Sequence, residues 1–146
     1  MKVYTTEVVN NERYSKKNFL IRLAKPEGFR FKAGQFVMAH VNNNKRVFSV
    51  ASPPSYNFLE LLIRKHPKGK VSPVLYNLKK GDKVNISGPY GILRIKKTGS
   101  KEIIFIAGGT GLAPFRGMIY DALKKNPNKK ITLIFGFREI FFFMKE

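Results

Sequence analysis

Residues 103 to 107 form an unbroken apolar run that ends in Gly108-Gly109-Thr110-Gly111, and the residues that follow place apolar side chains at helical spacing. Phe115, Met118, Ile119, Ala122 and Leu123 fall at i, i+3, i+4, i+7 and i+8, which predicts one buried stripe on a helix that carries Pro114 in its first turn. Asn126-Pro127-Asn128 stops that helix, and Ile131 to Phe135 is a second apolar run. A strand, a helix and a strand in this order require a parallel pair, because parallel neighbours cannot be joined by a tight turn. The C-terminal third of the chain must therefore open an α/β sheet.

Upstream the pattern is different. Up to about Ile95 the apolar runs are short and β-rich, and turn residues separate them. Strands are predicted at Val3 to Val9, Asn18 to Ala24, Gln35 to Val41, Arg46 to Ala51, Phe58 to Arg64 and Lys83 to Ser87. Lys25-Pro26-Glu27-Gly28, Lys32-Ala33-Gly34, Asn42-Asn43-Asn44, Pro53-Pro54 and Gly81-Asp82 supply the turns. Ser72-Pro73, followed by Val74, Leu75 and Leu78, predicts a short helix with Ser72 as its N-cap. The expected fold class is a six-stranded antiparallel, Greek-key β-barrel followed by a partial α/β domain, with the boundary at Thr98-Gly99: residues 1–98 and 99–146.

Composition narrows the chemistry. At 146 residues and 43% apolar the chain suits one packed domain and part of a second. It has no stretch of about 18 apolar residues of the kind that spans a membrane, and Met1-Lys2-Val3-Tyr4 starts no apolar signal core, so a cytoplasmic location is expected. With no cysteine, disulfides, thiolate chemistry and a cysteine-held iron–sulfur cluster are excluded within this chain, and redox work would need an organic cofactor. The net charge of +19 attracts phosphates, acidic lipid or an acidic protein. Its lysines are spread along the chain instead of being gathered in one arm or helix, which argues against specific nucleic-acid binding. His40 and His66 are isolated and no carboxylate pair has a suggestive spacing, so both histidines are expected to be structural or exposed.

Four segments carry chemistry. Arg46-Val47-Phe48-Ser49-Val50-Ala51-Ser52 offers a guanidinium, an aromatic face and hydroxyls on one extended stretch, with Arg46 and Phe48 on one face and Ser49 on the other unless the strand bends. Gly69-Lys70-Val71-Ser72 puts backbone N–H groups and a hydroxyl at the opening of the short helix. Gly88-Pro89-Tyr90-Gly91 is a turn. Gly108-Gly109-Thr110-Gly111-Leu112-Ala113-Pro114 lies between strand and helix, where glycines let a pyrophosphate approach the backbone.

Taken together and in this order, these segments resemble the ferredoxin-NADP-reductase-like flavin oxidoreductases, from Val3 to Arg138. The first is similar to the family's Arg-x-Tyr/Phe-Ser-x-x-Ser motif, the second to its Gly-x-Val-Ser segment, the third to its Gly-Pro-x-Gly turn and the fourth to its Gly-Gly-Thr-Gly-x-x-Pro element. The resemblance implies FAD as cofactor, with FMN as the other flavin such a site takes, and NADH or NADPH as substrate. It implies that Arg46 pairs with a flavin phosphate, Phe48 lies against the ring or ribityl chain, and Ser49 hydrogen-bonds near flavin N5 as the catalytic hydroxyl. Leu62, Ile63 and Arg64 would run beside the flavin, while Gly69, Lys70, Val71 and Ser72 would hold its phosphates. Gly108, Gly109, Thr110, Gly111 and Pro114 would receive the nicotinamide nucleotide, with Arg138 a further contact. Phe48 stands where the family commonly has Tyr, which removes one hydroxyl from the site.

The family's second domain is longer than the residues that follow position 98, so the sequence reads as a truncated nucleotide-binding unit. Open sheet edges and the terminal run Phe141-Phe142-Phe143 would favour self-association. The functional expectation is electron transfer from NAD(P)H through flavin to a small acceptor or a protein, which the charge suggests is acidic. The alternatives are a flavin-binding electron-transfer subunit without NAD(P)H activity and a basic binding module.

Overall fold

The computed structural model describes residues 2–96 and 99–137. Six strands, β1 (Val3–Arg13), β2 (Asn18–Ala24), β3 (Phe36–Val41), β4 (Asn44–Ser49), β5 (Phe58–Arg64) and β6 (Lys83–Tyr90), form one antiparallel sheet in the order β4-β3-β6-β1-β2-β5. The edge strands β4 and β5 are brought together where the chain leaves β4: Val50 bridges Leu61, and the Ala51 N–H donates to the Glu60 carbonyl at 2.7 Å. The sheet is therefore curled into a barrel closed by one bridge instead of a full ladder. Strands β3 to β6 lie in the spatial order β6-β3-β4-β5, which is the Greek key.

The hairpin that presents β4 follows from its turn chemistry. Asn42 and Asn43 both adopt positive φ (45° and 61°), the pair of left-handed residues that a two-residue hairpin needs and that asparagine tolerates. Pairing resumes at Asn44, so β4 begins two residues before the expected Arg46 and ends at Ser49. Strands β2 and β5 have the expected bounds. In β5 every residue from Leu59 to Ile63 is buried, because both faces of this strand are covered. Leu59, Leu61 and Ile63 point into the barrel core with Phe19, Ile21 and Leu23, whereas Leu62 packs outward with Leu20, Ala51, Leu112 and Ala113.

Helix α1 (Ser72–Asn77) forms as expected, but Val71 holds the N-cap position and no side chain caps it. The Ser72 hydroxyl instead accepts the His66 N–H at 3.0 Å, tying the helix to the end of β5. Strand β7 (Glu102–Gly108), a 3₁₀ turn over Gly109–Gly111, helix α2 (Leu112–Lys125) and strand β8 (Lys130–Gly136) give the expected strand–helix–strand unit, with β7 and β8 parallel and in register from Glu102–Lys130 to Gly108–Gly136. The buried stripe of α2 is shifted from the one expected: Leu123 is exposed and Phe115 half-buried, while Arg116 and Gly117 are buried. The cause is a second packing partner. One side of α2 meets Phe105 of β7 through Met118 and Ile119, and another lies on the barrel. A Cβ on Gly117 would come within 2.7 Å of the Ser52 carbonyl oxygen, so the helix backbone rests directly on the segment after β4.

Candidate functional site

A cleft of about 590 Å³ opens between β4, the end of β5, the segment that leads into α1 and the turn after β7. Strand β4 contributes Asn44 to Phe48, β5 contributes Leu62, Ile63 and Arg64, and the α1 approach contributes His66 and Lys68 to Ser72. Thr110 is the contribution of the glycine-rich turn. Ten of the predicted residues thus meet in one cleft: Arg46, Phe48, Leu62, Ile63, Arg64, Gly69, Lys70, Val71, Ser72 and Thr110. Segments about twenty residues apart in sequence meet because β4 and β5 are neighbours across the barrel seam.

The cleft is strongly cationic. Lys45, Arg46, Arg64, Lys68 and Lys70 line it, no carboxylate does, and none of these five forms an ion pair among the described residues. Like charges gathered without a counter-ion raise the local potential and favour a polyanionic ligand. Its floor is apolar, with Val71 and Leu62 buried and Phe48 half-buried against the barrel core. The Gly69 N–H donates to the His66 carbonyl at 2.8 Å, which folds 66–69 into a turn, and a Cβ on Gly69 would lie 3.1 Å from that carbonyl oxygen. A side chain here would be tight against the turn's own backbone.

The remaining predicted residues do not line this cleft. Ser49 is half-buried and in register with Phe36 of β3, away from the cleft wall. Gly88 to Gly91 packs beside β3, where a Cβ on Gly91 would sit 2.9 Å from the Phe36 ring. Gly108, Gly109, Gly111 and Pro114 surround Thr110 at the opening of α2. At Gly109 and Gly111 an added Cβ would meet nothing within 4 Å, so neither glycine is required by internal packing. Gly109 has a φ of 51°, which accounts for that glycine, but Gly111 has an ordinary helical φ of −61°. The open space above Gly111 is what a ligand lying on the helix N-terminus would occupy. Arg138 falls outside the described residues, as do Phe141 to Phe143.

Asn44, Lys45, His66 and Lys68 also line the cleft although no motif marked them, as does Val47, to which the first motif gave no role. His66 is exposed, as expected, yet its place is on the cleft rim. The spread of lysine through the sequence hid the gathering of cations that folding produces.

An aromatic side chain, an apolar floor and five unpaired cations suit a ligand with a flat ring and phosphates. The comparisons with known proteins agree. Residues 5–95 match the oxidoreductase FAD-binding domain and residues 105–142 the oxidoreductase NAD-binding domain. The chain belongs to the family of oxidoreductases built from these two domains, and its barrel is the FAD-binding one. It is 35% identical over 141 residues to reductase component 2 of terephthalate 1,2-dioxygenase from Comamonas sp., covering 94% of this chain and 42% of that protein. It is 38% identical over 126 residues to the reductase component DmpP of phenol 2-monooxygenase from Pseudomonas sp. strain CF600, covering 84% of this chain and 35% of the relative. Among solved structures, the Amycolatopsis cytochrome P450 reductase GcoB superposes with a TM-score of 0.87 at 27% identity, over 97% of this chain and 46% of that one. The chain spans less than half the length of each.

Proposed function

We propose that this chain binds FAD in the cationic cleft and passes electrons from NAD(P)H to an acceptor, as the electron-input part of a reductase. The observation that carries this reading is the convergence of five unpaired cations, Phe48 and Thr110 in one cleft, with the glycine-rich turn beside it. Arg46, Lys68 and Lys70 would neutralise the flavin phosphates, Phe48 would cover the ring, and Ser72 would orient the loop that holds them. When bound, the flavin supplies hydride acceptance and onward electron transfer. The protein's own contribution is to orient, to neutralise charge and to exclude water. Ser49, on the strand next to the cleft, is the candidate hydroxyl for a proton at flavin N5, and Gly108 to Gly111 with Pro114 form the candidate nucleotide-binding turn. We place the boundary between the two functional units at residues 98 and 99.

The relatives are named as reductase components of oxygenases, which supports a protein acceptor, and the net charge of +19 supports an acidic docking face on it. Ile104, Ile106 and Ile134 leave one face of the β7–β8 sheet exposed, and this face supports self-association. The test is anaerobic mixing of the FAD-loaded protein with NADH or NADPH. Bleaching of the flavin band is the expected result. Reduction by dithionite but by neither nucleotide would assign the chain instead as a flavin-binding electron-transfer subunit.

A further inference from the structure

A second cleft, of about 650 Å³, lies outside the site described above, between the loop after β2, the residues that follow β6 and the C-terminal half of α2. It shares no residue with the flavin cleft. Its floor is apolar: Phe31, Met118 and Ala122 are buried, and Ala33, Ile95 and Ile103 are half-buried. Around its mouth stand Lys32, Arg94, Lys96 and Lys129, none of which is ion-paired among the described residues. The lone carboxylate in the wall, Asp121, is engaged by Lys125 at 2.8 Å. The carbonyl end of α2 adds only about half a negative charge near this rim, less than the four cations outweigh.

We infer that this cleft binds a small amphipathic carboxylate, with the apolar body on the Phe31–Met118–Ala122 floor and the carboxylate among the four rim cations. Its volume falls within the range of small-molecule sites. The two halves of the ligand follow from two separate observations. An apolar floor that water contacts gains from an apolar body. Unpaired cations of one sign around that floor give a positive potential that favours an anion, which a neutral or cationic ligand of the same shape does not match. Because one wall is barrel and the other is α2, such a ligand would also bridge the two units of the fold.

Isothermal titration of the FAD-loaded protein with decanoate tests this, with decanol and decyltrimethylammonium as probes of the same length. The expected result is one saturable decanoate site, at least tenfold weaker binding of decanol and no saturable binding of the cation. The double variant Arg94→Glu/Lys129→Glu alters two rim cations outside the flavin cleft and should weaken decanoate at least tenfold while leaving flavin retention unchanged. Arg46→Glu, in the other cleft, should leave decanoate binding intact. Equal affinity for decanol and decanoate, an unchanged affinity in the double variant, loss of the site in Arg46→Glu or the absence of saturable binding would each overturn the assignment.

Discussion

Arg116 of α2 reaches across the boundary between the two units and pairs with Glu60 of β5, a carboxylate whose side chain is only 1% exposed. The same guanidinium donates to the Ala51 carbonyl at 3.1 Å, and Arg22 binds the other oxygen of Glu60 at 2.7 Å. The strand that lines the cationic cleft and the helix that follows the glycine-rich turn are thereby held at one buried charge. Removing one partner of a buried pair costs far more than the pair contributes, because it leaves the other charge unmatched. Glu60→Gln is expected to lower stability by about 3–5 kcal/mol. Arg22→Ala removes a charge-assisted contact but leaves Arg116 on Glu60, and is expected to cost about 1.5–3 kcal/mol. Urea unfolding of the two variants checks both values.

Gly117 and Gly111 stand six residues apart and differ in what surrounds them. Gly117→Ala forces a Cβ against the Ser52 carbonyl and is expected to destabilise by about 1–3 kcal/mol. Gly111→Ala meets open space at an ordinary φ, so stability should hold or rise by about 0.4–1 kcal/mol. Its effect should fall on nucleotide binding, seen as slower flavin bleaching by NAD(P)H with unchanged flavin retention.

Arg46 is the cation that the motif and the cleft both select. Loss of a charge-assisted contact is worth about 1.5–3 kcal/mol, so Arg46→Ala should weaken FAD binding by about tenfold to a hundredfold. Lys45→Ala, on the same strand, should have the smaller and more salt-sensitive effect of an exposed charge. Flavin titrations at low and high salt separate the two.

Burial within the Leu20–Leu62–Leu112 cluster pushes the Tyr14 phenol up to about 12, and neighbouring Glu12 acts in the same direction. The folded state therefore holds this proton more tightly than the unfolded chain does. The associated stability is complete below the ordinary tyrosine range near ~10 and is lost as pH rises through about 12. Ultraviolet titration of tyrosinate should show a late-ionising component that Tyr14→Phe removes.

The elements most legible in the sequence are those whose signals are local. The bounds of β2 and β5 could be read because turn residues end each apolar run, and the turn at Asn42 to Asn44 because asparagine tolerates positive φ. The start of β4 was displaced because strand pairing resumes directly after that turn, which apolar patterning does not mark. The motifs brought ten residues to one cleft, but Lys45, His66 and Lys68 belong to no motif and acquire their place only when β4 meets β5. The shifted stripe of α2 has the same origin. Arg116 reads as a polar position until Glu60, 56 residues earlier in the chain, becomes its partner.

The visible absorbance spectrum of the protein after incubation with FAD and desalting, for the unmodified chain and for Arg46→Ala, tests the flavin assignment most directly. The expected result is a retained flavin band, near one flavin per chain, that is diminished in the variant. A protein that desalts colourless, or a band that the Arg46 substitution leaves unchanged, would contradict the assignment of the cationic cleft as the flavin site.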